Sequence, residues 1–159
     1  MKRLLVVVWL AAFVPAIAQV RVAVLPIKNL DGNMQLLTYS YAIADSLRSL
    51  LMKHPEHGRS FSVIPADSME QALAEFNLDP ASPQFESDLW RGIAKLDCKY
   101  AITGSFEITG GRMVLNLYAY DVATKLADQT NAARNLFKAP EHIFEVLPAA
   151  VKKLVPALK

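Results

Sequence analysis

Val20-Arg21-Val22-Ala23-Val24-Leu25-Pro26-Ile27 is the stretch on which the fold turns. It is rich in Val and carries one charge, Arg21, so it reads as a strand covered largely on both faces, the condition of a parallel strand between helix layers. Lys28-Asn29-Leu30-Asp31-Gly32-Asn33 supplies a turn before a helix. A buried strand that hands the chain to a helix predicts an α/β domain, and the rest of the sequence can be placed around it.

Upstream, Met1-Lys2-Arg3 is a basic start, Leu4 to Val14 is apolar, and Ala16-Ile17-Ala18 is a small-x-small cleavage signal. Residues 1–18 therefore read as a secretory signal peptide cut after Ala18. The apolar run falls short of the roughly 20 residues that span a bilayer, which favours a removable leader over an anchor. Gln19 and Val20 follow the cut, so no cysteine stands where a lipid could be attached. The expected product, residues 19–159, is a single domain in the periplasm, free or peripheral to the outer membrane.

Lys2 and Arg3 leave with the leader, so the 17 basic residues of the whole chain fall to match the 15 acidic ones. A neutral product gives no support to nucleic-acid binding. Cys98 is the sole cysteine, which excludes an internal disulfide and leaves the core to hold the fold. Next to Tyr100-Ala101-Ile102 it reads as a buried small hydrophobe.

Downstream, Leu36, Leu37, Ser40, Ile43, Ala44, Leu47, Leu50 and Leu51 recur at helical spacing, with Asn33 or Asp31 as cap. His54 to Arg59 is a loop, and Phe61-Ser62-Val63-Ile64 is a short strand expected to lie parallel to the first. Asp67-Ser68-Met69-Glu70 has the form of a capping box opening a second helix. Pro83 starts a third, whose stripe includes Phe85, Leu89, Trp90 and Ile93, with Trp90 as a core anchor.

From Tyr100 the period becomes extended: one strand to Ile108, a turn at Thr109-Gly110-Gly111, a return from Met113 to Val122, and a polar edge from Leu126 to Phe137. Pro140 opens a last helix, and Pro148 inside it predicts a kink or break. The whole is a mixed sheet of about five strands in the order β-α-β-α-α-β-β-β-α, with helices on one or both faces.

Chemistry is sparse. His54-Pro55-Glu56-His57 is the only close pair of histidines, and a metal site there would need Glu56, or Glu141-His142, to complete it. The glycines of Thr103-Gly104-Ser105 lack the Lys-Ser/Thr of a phosphate loop, and Gly104 in mid-strand suggests a bulge or a closely packed helix. No Gly-x-Ser-x-Gly elbow is present. Asp121 and Asp128 flank turns and read as turn formers. No catalytic set, cofactor or metal is implied.

In the middle strand Met113, Leu115, Leu117 and Ala119 share one face, expected to pack on helices. Asn116, Tyr118 and Tyr120 share the other, expected to meet solvent or a protein partner unless they lie beneath the last helix.

Taken together, the run Val22 to Asn33 resembles the opening of the TolB amino-terminal and CsgG-like superfamily. Phe61 to Phe76, Tyr100 to Phe106 with its Thr-Gly-Ser step, and the turn Tyr120 to Lys125 are similar to that group as well. Asp97 stands where the group usually has a helix-ending glycine, and Lys125 where Asp-x-x-Thr-Gly would have one. The resemblance implies an envelope domain that works by protein contact. The expected function is a non-enzymatic binding or assembly module for an envelope protein partner. The rivals are a self-assembling subunit, a homo-oligomer built through the edge Leu126 to Phe137, and a metal binder using His54 and His57.

Overall fold

The computed structural model describes residues 19–76, 79–80 and 82–159. The leader expected at residues 1–18 lies outside them. In chain order the elements are β1 (Val20–Val24), β2 (Lys28–Asn29), α1 (Leu37–Met52), β3 (Phe61–Val63), α2 (Ala66–Leu73) and α3 (Phe85–Ile93). There follow β4 (Tyr100–Thr109), β5 (Arg112–Asp121), β6 (Leu126–Ala127), β7 (Ala133–Lys138) and α4 (Leu147–Leu154), the last preceded by a 3₁₀ segment, Pro140–Val146.

The sheet runs β3-β1-β4-β5-β6, with β2 beside β4 and β7 beside β5. β1 is parallel to both neighbours, and β4 with β5 forms a long antiparallel hairpin from Tyr100↔Asp121 to Thr109↔Arg112. The path leaves β1 in one direction to reach β3, then travels back across it to β4. Parallel crossovers share one hand, so reversing the direction of travel places the crossover helices on opposite faces.

That is what the two cores show. Val22, Val24, Ile102, Phe106, Leu115 and Leu117 pack with α1 and α4 on one side. Ala23, Leu25 and Ala101 pack with α2 and α3 on the other. Val22, Ala23, Val24 and Leu25 are all fully buried, which is why this strand reads as an unbroken apolar run.

The stretch read as a turn after β1 holds more order than expected. Lys28 and Asn29 extend the sheet as β2, opposite Ser105 and Phe106. Pro26 cannot donate to a ladder, and the chain accommodates it between two strand pieces: Leu25 N–H donates to Ile102, and Thr103 Oγ1 donates to the Pro26 carbonyl at 2.9 Å. Asn29 Oδ1 then accepts from Asp31 N–H, Gly32 takes φ +64°, and Asn33 Oδ1 accepts from Gln35 N–H, capping the 3₁₀ turn that leads into α1.

Several local expectations are corrected. The Asp67-Ser68-Met69-Glu70 capping box does not form, because the helix is capped two residues earlier, at Pro65, and α2 starts at Ala66, leaving Asp67 inside the first turn as a charge favourable to the helix dipole. The single edge strand from Leu126 to Phe137 is two pieces, β6 and β7. Asp128 interrupts them by accepting from Thr130 N–H, Asn131 N–H and Asn131 Nδ2. Gly104 marks neither a bulge nor a helix contact: its register with Leu117 is regular, and the near neighbour is the backbone of β5. The bulge lies instead between β5 and β7, at Leu115 and Leu117. Pro148 does break the last helical stretch, sitting in the first turn of α4 after the 3₁₀ segment.

Two substitutions test this account by chemical denaturation. A Cβ on Gly104 would lie 1.9 Å from the Asn116 carbonyl oxygen and 3.0 Å from Leu117 Cα, both backbone atoms that cannot move aside alone. Gly104→Ala is expected to destabilise by about 3 kcal/mol, at the upper end of overpacking costs. Asp97 has φ +44° and ends the α3 segment where glycine is freer. Its contact with Arg21 is solvent-exposed at 3.4 Å and contributes little. Asp97→Gly is expected to stabilise by about 0.5–1 kcal/mol, and an unchanged or lowered midpoint would refute the strain reading.

Candidate functional site: the uncovered half of the sheet

α2 and α3 cover only the parallel half of their face. Beyond them the same face continues over β4 and β5 as Thr103, Ser105 and Glu107 opposite Tyr118, Asn116 and Val114. The other face of β5 is closed: Met113, Leu115, Leu117 and Ala119 are buried under α1 and α4. The alternation along β5 therefore separates a core side from a half-buried side that carries Asn116, Tyr118 and Tyr120. The last helix lies on the core side, away from the two tyrosines.

These three residues have different surroundings. Asn116 Oδ1 accepts from Asn135 N–H at 2.8 Å. Asn135 has φ +54° at the β5–β7 bulge, so this amide ties down a backbone group that the irregular ladder would leave unpaired. Tyr120 meets the Trp90 ring edge-on at a centroid distance of 5.6 Å, and Tyr118 meets Tyr120 at 6.1 Å, also edge to face. Lys125 Nζ stands 5.9 Å from the Trp90 ring.

Trp90, Tyr120 and Tyr118 line a cleft of about 210 Å³. Thr103, Gly104 and Ser105 also line it, with Phe85 and Leu89 on the α3 side. Lys28 of β2 and Glu86 of α3 line it too, with Nζ and Oε2 3.9 Å apart. Burial raises the Tyr120 hydroxyl above the ordinary tyrosine range, with the neighbouring Tyr118 and Glu86 adding to the effect. The volume suits one large apolar side chain, and the two phenols and the lysine supply polar contacts around it.

Sequence reading placed Tyr118 and Tyr120 together and assigned Trp90 to the core. The structure makes Trp90 half-buried and part of the same aromatic row. Its position was signalled by spacing: Phe85, Leu89 and Ile93 form the buried stripe, and Trp90 falls one residue outside it. Lys28 and Glu86 carried no signal, since they meet only through the packing of β2 and α3.

The other candidates have structural employment. His54 and His57 both pack on Phe61, with ring centroids 6.3 and 6.1 Å away, and His54 Nδ1 accepts from Glu56 N–H. Among the described residues no group of three or more His, Cys, Asp and Glu is placed to hold a metal ion. The Asp121 carboxylate accepts from Thr124 N–H and Oγ1, and these bonds hold its pKa below the usual range. Asp128 is lowered by its bonds to Asn131. Burial raises the Cys98 thiol, which disfavours its reactive thiolate.

The fold and this surface define an α/β domain with a half-bare sheet bearing an aromatic cleft. No family model matches the sequence. No curated protein matches it either. Among solved structures the chain is similar to the C-terminal domain of LpoB from Salmonella enterica, at TM-score 0.51 and 14% identity over 72% of this chain and 79% of that one. It is similar to E. coli LpoB at TM-score 0.52 and 14% identity, over 76% of this chain and 58% of that one. A dodecameric PelC from Paraburkholderia phytofirmans aligns at TM-score 0.47 and 14% identity, over 89% of this chain and 90% of that one. At these identities the likeness is one of fold.

The raised pKa of Tyr120 has a stability consequence. A group whose folded pKa lies above its unfolded value favours the folded state below the unfolded pKa and loses that contribution as pH rises through the folded one. Tyr41 shifts the same way through burial and Asp79. Stability is therefore expected to decline above about pH 10, the ordinary tyrosine value, and Tyr120→Phe to flatten part of that decline in denaturation series run from pH 8 upward. An identical alkaline slope in the variant would remove the assignment.

Proposed function

We propose that this protein is an exported, non-enzymatic docking module of the bacterial cell envelope, which binds a protein partner through the uncovered half of its sheet. The observation that carries the reading is the aromatic row of Trp90, Tyr120 and Tyr118 lining an open cleft, with Lys28 and Glu86 beside it. Tyr and Trp present large rigid surface with a polar handle, which suits interface anchors. The leader-like residues 1–18 and the motif likeness to the TolB amino-terminal and CsgG-like group support an envelope location. In this reading residues 19–159 are the mature chain.

The partner inserts one apolar or aromatic side chain into the cleft, Tyr118 and Tyr120 flank it, and Asn116 acts indirectly by holding the bulge beside them. A second reading, self-assembly, is favoured by the exposed Phe137 and Leu126 on the β7 and β6 edge, 55% and 69% exposed. The bulge at Asn135 and the charges of Arg134 and Lys138 on β7 oppose it, because they blunt edge-to-edge pairing.

A photo-crosslinking residue placed at Tyr118 is expected to give a discrete adduct in intact cells, while the same residue at His57 gives none. Tyr118→Ala is expected to keep the fold, with a loss of about 1 kcal/mol or less, and to abolish binding of the partner identified from that adduct. Adducts formed equally at both positions, or an adduct containing only this chain, would contradict the docking face. Amino-terminal sequencing of the cell-derived protein is expected to begin at Gln19.

A further inference from the structure

We infer that the segment docking in the aromatic cleft carries a carboxylate one or two residues from its anchor, and that Lys125 is the residue that reads it. The inference rests on the docking reading of the cleft and adds to it the chemistry of the partner. Two lysines serve this surface, and the register sets them at opposite ends. Lys28 lies beside Ser105 of β4, whereas the turn that carries Lys125 follows Asp121, which lies beside Tyr100. Lys125 Nζ stands 5.9 Å from the Trp90 ring, so it caps the end of the cleft that Trp90 and Tyr120 form.

The two lysines differ in the charge they have left to offer. Lys28 is 3.9 Å from Glu86, so its end of the cleft is close to neutral. Among the described residues no carboxylate stands within ion-pair distance of Lys125, and the residue is exposed. The ring beneath it offers an electron-rich face but no counter-charge. The acids nearest in sequence are engaged elsewhere. The Asp121 carboxylate accepts from Thr124 N–H and Oγ1, with Lys99 as a cation that helps to hold its pKa low, and Asp128 is bonded to Thr130 and Asn131.

The backbone presents this cation on a fixed turn. Lys125 has φ +59°, a left-handed conformation in which glycine would be freer. Its N–H donates to the Asp121 carbonyl at 2.8 Å, and the Asp121 carboxylate ties Thr124 into the same turn. A contact made on such a turn leaves little backbone freedom to be lost on binding. An extended segment advances about 3.3 Å per residue, so the 5.9 Å from ring to amine corresponds to about two residues. A partner whose apolar side chain rests against Trp90 and Tyr120 therefore brings a neighbouring Asp or Glu, or a chain terminus just after the anchor, within reach of Lys125. A basic residue in that place would meet a like charge.

The experiment titrates the exported protein with short blocked peptides and follows the indole N–H resonance of Trp90, the one tryptophan of residues 19–159. One peptide has a central Phe with Asp on each side, and its match has Asn in both places. A second pair ends in Phe, as the free acid or as the amide, and separates a chain terminus from an acidic side chain. All the peptides are expected to move the Trp90 signal, with the acidic member of at least one pair binding about threefold more tightly, the scale of an exposed ion pair. That advantage is expected to vanish in high salt, where exposed charges are screened, which tests the point without any substitution. Lys125→Met, which keeps an apolar stem over Trp90, is expected to abolish the advantage while leaving the amide peptides unaffected, and Lys125→Arg to retain it. No preference for acid over amide in either pair, or a preference that survives Lys125→Met, would overturn the proposal while leaving the docking cleft in place. A Trp90 signal that no peptide moves would sink the docking reading and this inference with it.

Discussion

Everything in this domain is hung on β1 and on how its end is finished. Two parallel neighbours satisfy its ladder on both sides, but β3 runs out first: Ile64 N–H donates to the Val22 carbonyl, and the next donor would come from Ala66. Pro65 has by then turned the chain into α2, so the Val24 carbonyl has no strand partner on that side. Arg48, reaching across from α1, supplies the missing donor. A buried carbonyl left bare would cost about 1–3 kcal/mol, and an unpaired guanidinium more, so each group justifies the burial of the other. The same bond locks α1 against the sheet.

The asymmetry of the sheet follows from that central strand. Reversal of travel at β1 forces α2 and α3 onto the face opposite α1, and short as they are, they cover the sheet as far as β4 and touch β5 only near its end, where Trp90 meets Tyr120. α4 returns to the face of α1, completing one thick core. The other face of the hairpin β4–β5 is left without a helix, and half-buried tyrosines occupy it. The bare surface is thus a consequence of helix number and crossover geometry rather than of any local sequence feature.

Different residues were legible to different degrees. Helical and strand periods identified α1, β1, β4, β5 and the break at Pro148, because each repeats a pattern over several turns or pairs. The hairpin turn was legible for the same local reason: Gly110 and Gly111 both take positive φ. Asp67 misled because a capping box is a four-residue pattern, and whether a helix starts there depends on where the preceding strand stops. Leu126 to Phe137 misled because Asp128 bends the chain with side-chain bonds that a weak alternation conceals. Gly104 was recognised as special, yet its reason lay on the opposite strand, in the Asn116 carbonyl and the Leu117 backbone.

The sequence by itself determined the fold class, the two-sided burial of β1, and which face of β5 carries tyrosines, since all three are written in local periodicity. Only the tertiary structure decided that Trp90 joins those tyrosines, that Lys28 and Glu86 meet beside them, and that Arg48 closes β1. These are contacts between elements separated by a crossover, and their geometry is set by which face each helix takes. Periodicity reports that a residue is inward or outward, whereas the identity of its neighbour depends on the path of the whole chain.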